Sequence, residues 1–384
     1  MYYIVLPATP RRRQMTLEEL FSNESYEPVN LTNDRTATVT YKREKITQQM
    51  EDKFECLELY TELITFNQKH EELAKEDRDL LYKSFSIPKK SGGLRRIDAP
   101  VDELKEALTE LKHIIETYMP CYYHTNAFAY IGGRSTIDAV RKHQKNESKW
   151  FAKFDMSNFF GSTTLDFVMR MMRKIMPFAK VCEYPGGDEE LMKALELGFY
   201  NGGLPQGTPL SPTLTNVMMV PIDYELSNDF LDFEGNRLVY TRYADDFLVS
   251  SEYDFSFKEV EKHMQETLGL FCTPFRFNEK KTRYGSIAGS NWNLGLMLNK
   301  DNEITIGHKN KKRLKTMLFN YGMDKKNGIQ WEVNDIQEMD GYRSYARFVE
   351  KETIDAMVEH VSKKVGLDIV AAIKRDLKME TVAV

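Results

Sequence analysis

The chain has 384 residues, of which 41% are hydrophobic and 29% charged, enough for two or three compact subdomains with cores of their own. No apolar run approaches the roughly 20 residues that span a bilayer, and the apolar start Met1–Leu6 precedes basic Arg11–Arg13, the reverse of a signal peptide. The four cysteines lie far apart without a CxxC pair, which argues against a zinc site or a disulfide framework. Together these features predict a cytoplasmic protein without membrane contact.

The net charge of −5 argues against a simple polyanion binder, but the basic residues are unevenly distributed. Residues 276–316 contain ten Lys or Arg and only three acids, and a second basic cluster of Lys89, Lys90, Arg95 and Arg96 surrounds a glycine pair. Such clusters are solvated helix faces more often than binding surfaces, so charge alone leaves both interpretations open.

Residues 1–42 show weak periodicity and receive no interpretation, whereas 43–82 read as helical and charged. Residues 87–97 predict two short strands around a Ser-Gly-Gly turn. Asp102 is expected to cap a helix that ends at Pro120. The apolar residues on one face of that helix are Leu104, Leu108, Leu111 and Ile115.

The centre of the chain alternates between strand and helix patterns. Strands are predicted over 149–155, 237–243 and 247–251, with further strands near 273–278 and 292–298. Helices are predicted from a Thr164 cap to about Met176, from a Ser211 cap onward, over about 255–269, and from His308 to the end. This order predicts an α+β fold with an antiparallel sheet, helices on one face and a separate α-helical domain.

Two adjacent carboxylates, Asp245 and Asp246, join the strands of the predicted hairpin. An Asp-Asp pair is usually a plain turn. Here the strand-like flanks would hold the two charges rigidly together, which is costly unless a cation lies between them. Asp155, at the end of another predicted strand, offers a third carboxylate, and oxygen ligands of this kind suit one or two Mg²⁺ ions.

A Gly/Pro-rich segment, residues 202–212, precedes the helix that begins near Ser211. Such a composition usually does no more than start a helix. Gln206, however, lies just before the helix N-terminus, where backbone N–H groups favour phosphate.

Together these motifs resemble the right-hand polymerase domain of prokaryotic reverse transcriptases. The matches occur in the family's order over residues 87–299, with a looser match to about 350. They comprise Phe154-Asp155-Met156-Ser157-Asn158-Phe159-Phe160, then Leu204-Pro205-Gln206-Gly207 with Ser211-Pro212, then Tyr243-Ala244-Asp245-Asp246. The resemblance implies fingers, a palm with the antiparallel sheet and an α-helical thumb, and RNA-directed DNA polymerase activity.

The resemblance also implies roles for individual residues. Metal ligands would be Asp155, Asp245, Asp246 and the Met156 carbonyl, holding two Mg²⁺ per active site, with Mn²⁺ as an alternative. Lys281, in Asn278-Glu279-Lys280-Lys281-Thr282, would protonate pyrophosphate as a catalytic acid, with the neighbouring Lys280 as the alternative. Nucleotide-binding residues would be Lys89, Arg95, Asn158, Phe159, Phe160 and Gln206, with Phe160 as the steric gate against ribonucleotides.

Nucleic-acid contacts are implied further along the chain. Leu294, Gly295 and Leu296 resemble the primer grip. A thumb helix would contact phosphates through Lys309, Lys311, Lys312, Arg313 and Lys315. The implied domains are an N-terminal extension and helical region (1–82), fingers (83–148), a palm (149–307) with an insertion at about 177–210, and a thumb with C-terminal helices (308–384).

The kind of reverse transcriptase follows from departures from two better-known groups. The Val-Thr-Gly signature of retron enzymes is replaced by Asn-Leu-Gly at 293–295, and only about 85 residues follow the primer grip, too few for a group II intron maturase. These departures favour a defence-associated, abortive-infection-like enzyme acting against phage. The alternatives are a retron-type enzyme that copies a cognate non-coding RNA, a template-independent DNA polymerase, and an inactive RNA-binding scaffold. The expected partners are an RNA template or non-coding RNA, a DNA primer and product, and dNTPs, with a partner protein or a second copy left open.

Overall fold

The computed structural model describes residues 55–88, 92–119, 122–286 and 295–381, excluding the side chains of 379–381. The uninterpreted segment 1–42 and the first part of the predicted helical region lie outside the described residues. Within them the chain is a mixture of helices and short antiparallel strands, which confirms the α+β prediction.

The first half of the chain contains helices α1 (55–69), α2 (Glu71–Lys75), α3 (Arg78–Leu81), α4 (Asp102–Tyr118), α5 (Thr136–Lys145), α6 (Phe159–Ser162), α7 (Leu165–Met172), α8 (Phe178–Val181) and α9 (Gly187–Glu196). The second half contains α10 (Ser211–Asp229), α11 (Phe257–Leu270), α12 (His308–Lys326), α13 (Val333–Val349), α14 (Lys351–Val365) and α15 (Ile369–Thr381). The helical pattern predicted from His308 onward is therefore confirmed as four helices.

The strands of the described residues form three sheets. Strands β1 (Tyr82–Pro88) and β2 (Leu94–Pro100) form an antiparallel hairpin that places Pro88 opposite Leu94, as the Ser-Gly-Gly turn predicts. Strands β3 (Trp150–Asp155), β4 (Val239–Tyr243), β5 (Asp246–Ser251) and β6 (Arg283–Ser286) form a sheet in the order β4-β5-β3-β6. Strands β7 (Met297–Leu298) and β8 (Ile304–Thr305) pair antiparallel.

Two predicted helix caps are wrong in detail. Asp102 and Ser211 are the first residues of α4 and α10, and the cap positions are Val101 and Leu210, neither of which makes a side-chain cap. The Ser211 hydroxyl instead donates to the Pro205 carbonyl (2.8 Å), so it fastens the preceding loop to the helix. Thr164 does cap α7 through the Phe167 N–H, although α7 ends at Met172, earlier than predicted.

The strand predicted near 273–278 is absent. That segment makes one bridge, between Phe277 and Met156, and its alternating aromatic residues pack without a ladder. The next strand is β6, which the sequence did not predict. Of the strand predicted near 292–298, residues 292–294 lie outside the described residues, and β7 covers Met297–Leu298.

Contacts divide the chain into two compact units. Unit 1 contains the described residues up to Arg134 together with Phe154–Phe247 and Ser256–Arg283. Its core includes the apolar face of α4 and stacked rings of Phe154 and Phe257, whose centroids are 5.4 Å apart. The predicted face of α4 is fully buried, which confirms that periodicity.

Unit 2 contains Ser135–Lys153, Leu248–Phe255 and the described residues from Tyr284 onward. Its core joins α12 to α15 through Leu318, Val361 and Ile369. These units differ from the predicted domains, and the division into fingers, palm and thumb stays a prediction.

None of the described helices combines the length and the apolar character that crossing a bilayer requires.

Candidate active site

Asp155 ends β3 with its side chain turned into a polar cluster of unit 1. The residue is only 6% exposed, and its two carboxylate oxygens accept hydrogen bonds from Lys281 Nζ at 2.8 and 2.9 Å. The Lys281 side chain is far more exposed, at 57%. A buried carboxylate is thus paired with an ammonium group that is still open to solvent.

Main-chain hydrogen bonds hold three segments together around Asp155. The Met156 N–H donates to the Asp245 carbonyl at 3.1 Å, which ties the end of β3 to the β4–β5 turn. The Asn278 N–H donates to the Asp155 carbonyl at 2.8 Å, and the Lys281 N–H donates to the Asn278 carbonyl at 2.9 Å. The three motifs that supply Asp155, Asp245 and Lys281 therefore meet in one place, although they are far apart in the sequence.

The turn between β4 and β5 consists of Ala244 and Asp245. Ala244 has a φ of +56°, a left-handed conformation that costs energy for a residue with a side chain. The Arg242 guanidinium donates a hydrogen bond to the Ala244 carbonyl at 3.3 Å, which stabilises this turn.

A buried ion pair anchors the same hairpin to α10. Arg242 donates through Nε and Nη2 to the two carboxylate oxygens of Asp223 at 2.8 and 2.7 Å, and both side chains are 1% exposed. The Tyr240 hydroxyl donates to Asp223 as well, at 2.7 Å, and Asn216 accepts from Arg242 at 3.2 Å. Sequence reasoning missed this network because its members are distant in the chain and each resembles an ordinary helix or strand residue.

The electrostatics of the three carboxylates fit a cation. Burial raises the pKa of Asp245, and the charges of Asp155 and Asp246 raise it further, so negative charge is in excess there. The hydrogen bond to Asp155 raises the pKa of Lys281, which keeps that lysine protonated. Among the described residues, no three acidic, His or Cys side chains already converge on one ion-sized point. Donor type and charge therefore fit a hard divalent cation, with Lys281 Nζ beside Asp155.

Phe160, five residues after Asp155, is not a core residue. Its neighbour Phe159 is 2% exposed and packs against the rings of Phe160 and Phe275, with centroids 5.8 and 5.0 Å away, while Phe160 stays half-buried. Phe159 thus supports the Phe160 ring from behind, and Asn158 is an exposed residue with a left-handed backbone.

The loop before α10 packs on the Phe160 segment. The Leu204 N–H donates to the Phe160 carbonyl at 3.0 Å. A Cβ on Gly203 would lie 2.2 Å from the Gly161 carbonyl oxygen, so only glycine allows this approach. Gly203 therefore allows the loop before α10 to pack closely against the Phe160–Gly161 backbone.

Gln206 continues this loop to the β1–β2 hairpin. The Asp98 N–H of β2 donates to the Gln206 carbonyl at 2.8 Å. Gly207 has a φ of +121°, and a Cβ there would lie 2.9 Å from Ile97 Cγ2. Gln206 is half-buried beneath β2, next to the predicted fingers residues.

Of the two adjacent arginines on β2, only Arg96 has a side-chain partner among the described residues. Arg96 Nε donates to Asp98 at 2.7 Å, and Ser84 donates to the same carboxylate at 2.5 Å. Arg95 is exposed and makes no hydrogen bond or ion pair within the described part of the chain, and Lys89 lies outside it. The role of Arg95 as a triphosphate ligand stays a prediction.

The predicted nucleic-acid residues belong to unit 2, where the structure separates them into two groups. Lys311 pairs with Glu350 at 2.7 Å and is partly buried, so its role is at least partly structural. Exposed positions on α12 are Lys309, Lys312, Arg313 and Lys315. In the primer-grip segment Gly295 is exposed, Leu296 is buried in the core, and Leu294 lies outside the described residues.

Comparison with known proteins places this arrangement in a family. A model of the family described as reverse transcriptase (RNA-dependent DNA polymerase) matches residues 87–318, more than half of the chain. The retron Ec83 reverse transcriptase of Escherichia coli is 25% identical over 303 residues, covering 77% of this chain and 90% of the relative. The retron Ec73 reverse transcriptase of the same species is 27% identical over 276 residues, covering 70% of this chain and 83% of the relative.

Solved structures give a more distant likeness. Telomerase from Candida albicans in complex with a fragment of telomeric RNA aligns with a TM-score of 0.43 at 14% identity. The alignment covers 75% of this chain and 56% of that telomerase, so this chain spans little more than half of its length.

The family match covers β3, the β4–β5 hairpin and the Lys281 segment, which build the carboxylate cluster, and it also covers β2, which carries Arg95. Membership implies dependence on a divalent cation in general and an RNA template as a partner. The chain belongs to the reverse transcriptase (RNA-dependent DNA polymerase) family and is an RNA-directed DNA polymerase with retron enzymes among its relatives.

Proposed function

We propose that the chain copies a structured non-coding RNA into DNA, using two Mg²⁺ ions held by Asp155, Asp245 and Asp246, with Mn²⁺ able to replace them. The observation that carries this proposal is the junction of Asp155, the β4–β5 turn and Lys281, linked by the Met156–Asp245 and Lys281–Asp155 hydrogen bonds. The Met156 carbonyl, beside this junction, is the proposed further metal ligand.

The protein's own contribution is mainly to position charge. When bound, the two cations supply charge compensation for the transferred phosphate and lower the pKa of the attacking 3′-hydroxyl. Asp155, Asp245 and Asp246 hold fixed negative charge at the sheet's end, where the buried Arg242–Asp223 pair keeps the hairpin in position. Lys281 holds a proton at Nζ because Asp155 stabilises the ammonium form, and this proton would pass to the departing pyrophosphate.

The residues around the cluster would select the nucleotide. Arg95 and Lys89 would bind the triphosphate, for which a guanidinium offers paired donors. Gln206 and exposed Asn158 would contact the incoming nucleotide, and Phe160 would exclude a 2′-hydroxyl, with Phe159 behind it. The half-exposed setting of Phe160 supports that assignment, since a core phenylalanine would be buried.

The fingers–palm–thumb division belongs to the same proposal. Gly295, with Leu294 and Leu296, would support the primer strand. Binding to phosphates would come from the exposed positions on α12, Lys309, Lys312, Arg313 and Lys315. Lys311 would contribute less, because its ammonium is already engaged by Glu350.

The relatives bear on the template. The retron enzymes reported above support the retron alternative over the abortive-infection-like subclass that the sequence favoured. We therefore propose a cognate non-coding RNA as template and its DNA copy as product. A role in antiphage defence stays part of the proposal and rests on no structural feature.

The test is to purify the protein, sequence the nucleic acid that co-purifies, and supply Mg²⁺ with each dNTP separately and with all four. We expect DNA complementary to a bound RNA, made only when all required dNTPs are present. Addition of a single dNTP without a template would support template-independent synthesis instead.

The double variant Asp245→Asn with Asp246→Asn should abolish incorporation while RNA binding survives. The matched control is Asp232→Asn, an exposed acid that should behave as wild type. Normal incorporation by the double variant would refute the proposed chemistry. If the wild type binds RNA but synthesises no DNA, the inactive RNA-binding scaffold is the correct alternative.

A further inference from the structure

Tyr130 is an exposed aromatic residue that the motif analysis did not assign. It is 51% exposed, although the three residues before it, Ala127–Ala129, are buried. Its φ of +57° is left-handed, a conformation uncommon for a residue with a large side chain. The surrounding structure must therefore enforce this geometry.

The register of the chain beside β4 fixes where Tyr130 lies. The Arg242 N–H donates to the Asn126 carbonyl at 2.8 Å, and the Phe128 N–H donates to the Arg242 carbonyl at 3.0 Å. The bridge between Ala127 and Arg242 is parallel, so the two segments leave it in the same direction. Tyr130 follows Ala127 by three residues, as Asp245 of the β4–β5 turn follows Arg242, and this places Tyr130 on the side of the bridge where that turn lies.

A buried hydrogen bond holds the segment at this register. Asn216 Nδ2, on α10, donates to the Ala129 carbonyl at 2.6 Å, and the Asn216 Oδ1 accepts from Arg242. One amide thus joins the Tyr130 segment, α10 and the hairpin.

The electrostatic environment agrees with this placement. Burial raises the pKa of the Tyr130 phenol, and the charges of Asp245 and Tyr243 raise it further, while Arg95 opposes them. Tyr130 is therefore within electrostatic reach of both a proposed metal ligand and the proposed triphosphate ligand.

We propose that the Tyr130 ring packs against the nucleotide pair that forms at the active site, as a positioning residue for the incoming dNTP. This inference rests on the proposed function, because it assigns the nascent pair to the space between the hairpin and Arg95. A tyrosine suits such a surface because its ring stacks on any base, independent of sequence.

Steady-state kinetics on a defined RNA template with an annealed DNA primer tests the inference. Tyr130→Ala should raise KM for the next dNTP by about tenfold or more, while the Kd for primer–template changes less than about twofold. Tyr130→Phe keeps the ring and should stay close to wild type. The matched control is Tyr253→Ala, which removes a comparably exposed tyrosine (62%) from unit 2.

Three results would overturn the inference. An unchanged KM in Tyr130→Ala would show that the ring does not touch the forming pair. A loss confined to primer–template Kd would place the ring on the duplex instead. A lowered Tm with an equal loss in Tyr130→Phe would show a structural role. The wild type serves as the separate test, since its failure to extend any primer would refute the proposed function itself.

Discussion

At the scale of single residues, the hydrogen bonds between Lys281 and Asp155 identify which lysine lies at the carboxylate cluster. One ammonium group serves both carboxylate oxygens of a buried Asp, yet it keeps more than half of its own surface exposed. The family motif indicated a lysine in this segment but left Lys280 and Lys281 open, and only the fold distinguishes them. Lys280 is exposed and makes no ion pair within the described part of the chain.

Lys281→Ala should slow nucleotide addition by about 10² to 10⁴-fold, because it removes a positioned proton donor. The rate of a single turnover, measured by rapid quench, is the direct test. Lys280→Ala is the matched control and should leave that rate within about twofold of wild type. The opposite ranking of the two variants would transfer the proton-donor role to Lys280.

Phe160→Ala should lower the preference for dNTPs over rNTPs by about tenfold or more, since the ring no longer fills the space under the sugar. The measurement is kcat/KM for one dNTP and its ribose counterpart on the same template. Phe348→Ala, which removes an exposed ring on α13, is the control. An unchanged preference in Phe160→Ala would remove this residue from the steric-gate role.

At the element scale, the β4–β5 hairpin depends on α10 as much as on its own strands. Its left-handed Ala244 is stabilised by Arg242, and Arg242 is held in turn by Asp223. The sequence predicted the hairpin and the helix separately, because each has a local pattern. It could not predict the ion pair, because no local pattern marks two buried charges 19 residues apart.

Asp223→Ala should lower the free energy of unfolding by about 3–5 kcal/mol, because it leaves the Arg242 charge buried without a partner. Urea denaturation at pH 7 measures this loss. Asp232→Ala changes an exposed acid of the same type and should cost less than about 0.5 kcal/mol. A loss below about 1 kcal/mol in Asp223→Ala would mean that water or another acid compensates Arg242.

The segment after α11 shows where periodicity misled the prediction. Phe275 and Phe277 alternate as strand residues do, but both rings enter aromatic clusters, and the backbone of this segment forms hydrogen bonds with the last residue of β3 and with Ser157 beyond it. The alternation of aromatic residues correctly predicted that these side chains pack inward. It wrongly predicted a β-strand, because side-chain periodicity alone does not specify a strand with which to pair.

At the scale of the whole molecule, helix α1 belongs to unit 1. The Tyr60 hydroxyl donates to the Pro185 carbonyl at 2.8 Å, and Asn67 donates to the Glu190 carbonyl at 2.8 Å. The sequence assigned this helix to an N-terminal region, yet its contacts lie within unit 1. Contacts so distant in the chain are set by packing and leave no local signal.

The pH dependence of stability should reflect buried His143 in unit 2. Burial lowers the pKa of His143 to about 3, and its Nδ1 is 2.6 Å from the Ser250 hydroxyl. The unfolded chain binds a proton at this histidine near pH 6.5, but the folded protein does not until about pH 3. The contribution of neutral His143 to the free energy of unfolding is therefore complete above pH 6.5 and is lost as the pH falls. Between pH 7 and pH 5 the free energy of unfolding should drop by about 2 kcal/mol.

Urea midpoints at pH 7 and pH 5 measure that change, and His143→Gln should remove most of it. The control is His113→Gln, a histidine on the non-buried side of α4 that should leave the pH dependence unchanged. Equal pH dependence in His143→Gln and wild type would assign the acid sensitivity to other groups.

The single hydrogen bond from Asp98 to Gln206, with Gly207 against Ile97, has a mechanical consequence. This hydrogen bond and this contact join the strand that carries Arg95 to the loop that carries Gln206. A displacement of the strand should therefore displace the loop as well. Affinity for the triphosphate and discrimination between bases should then vary together. A substitution on β2 that alters nucleotide affinity should change the error rate of synthesis in the same variant.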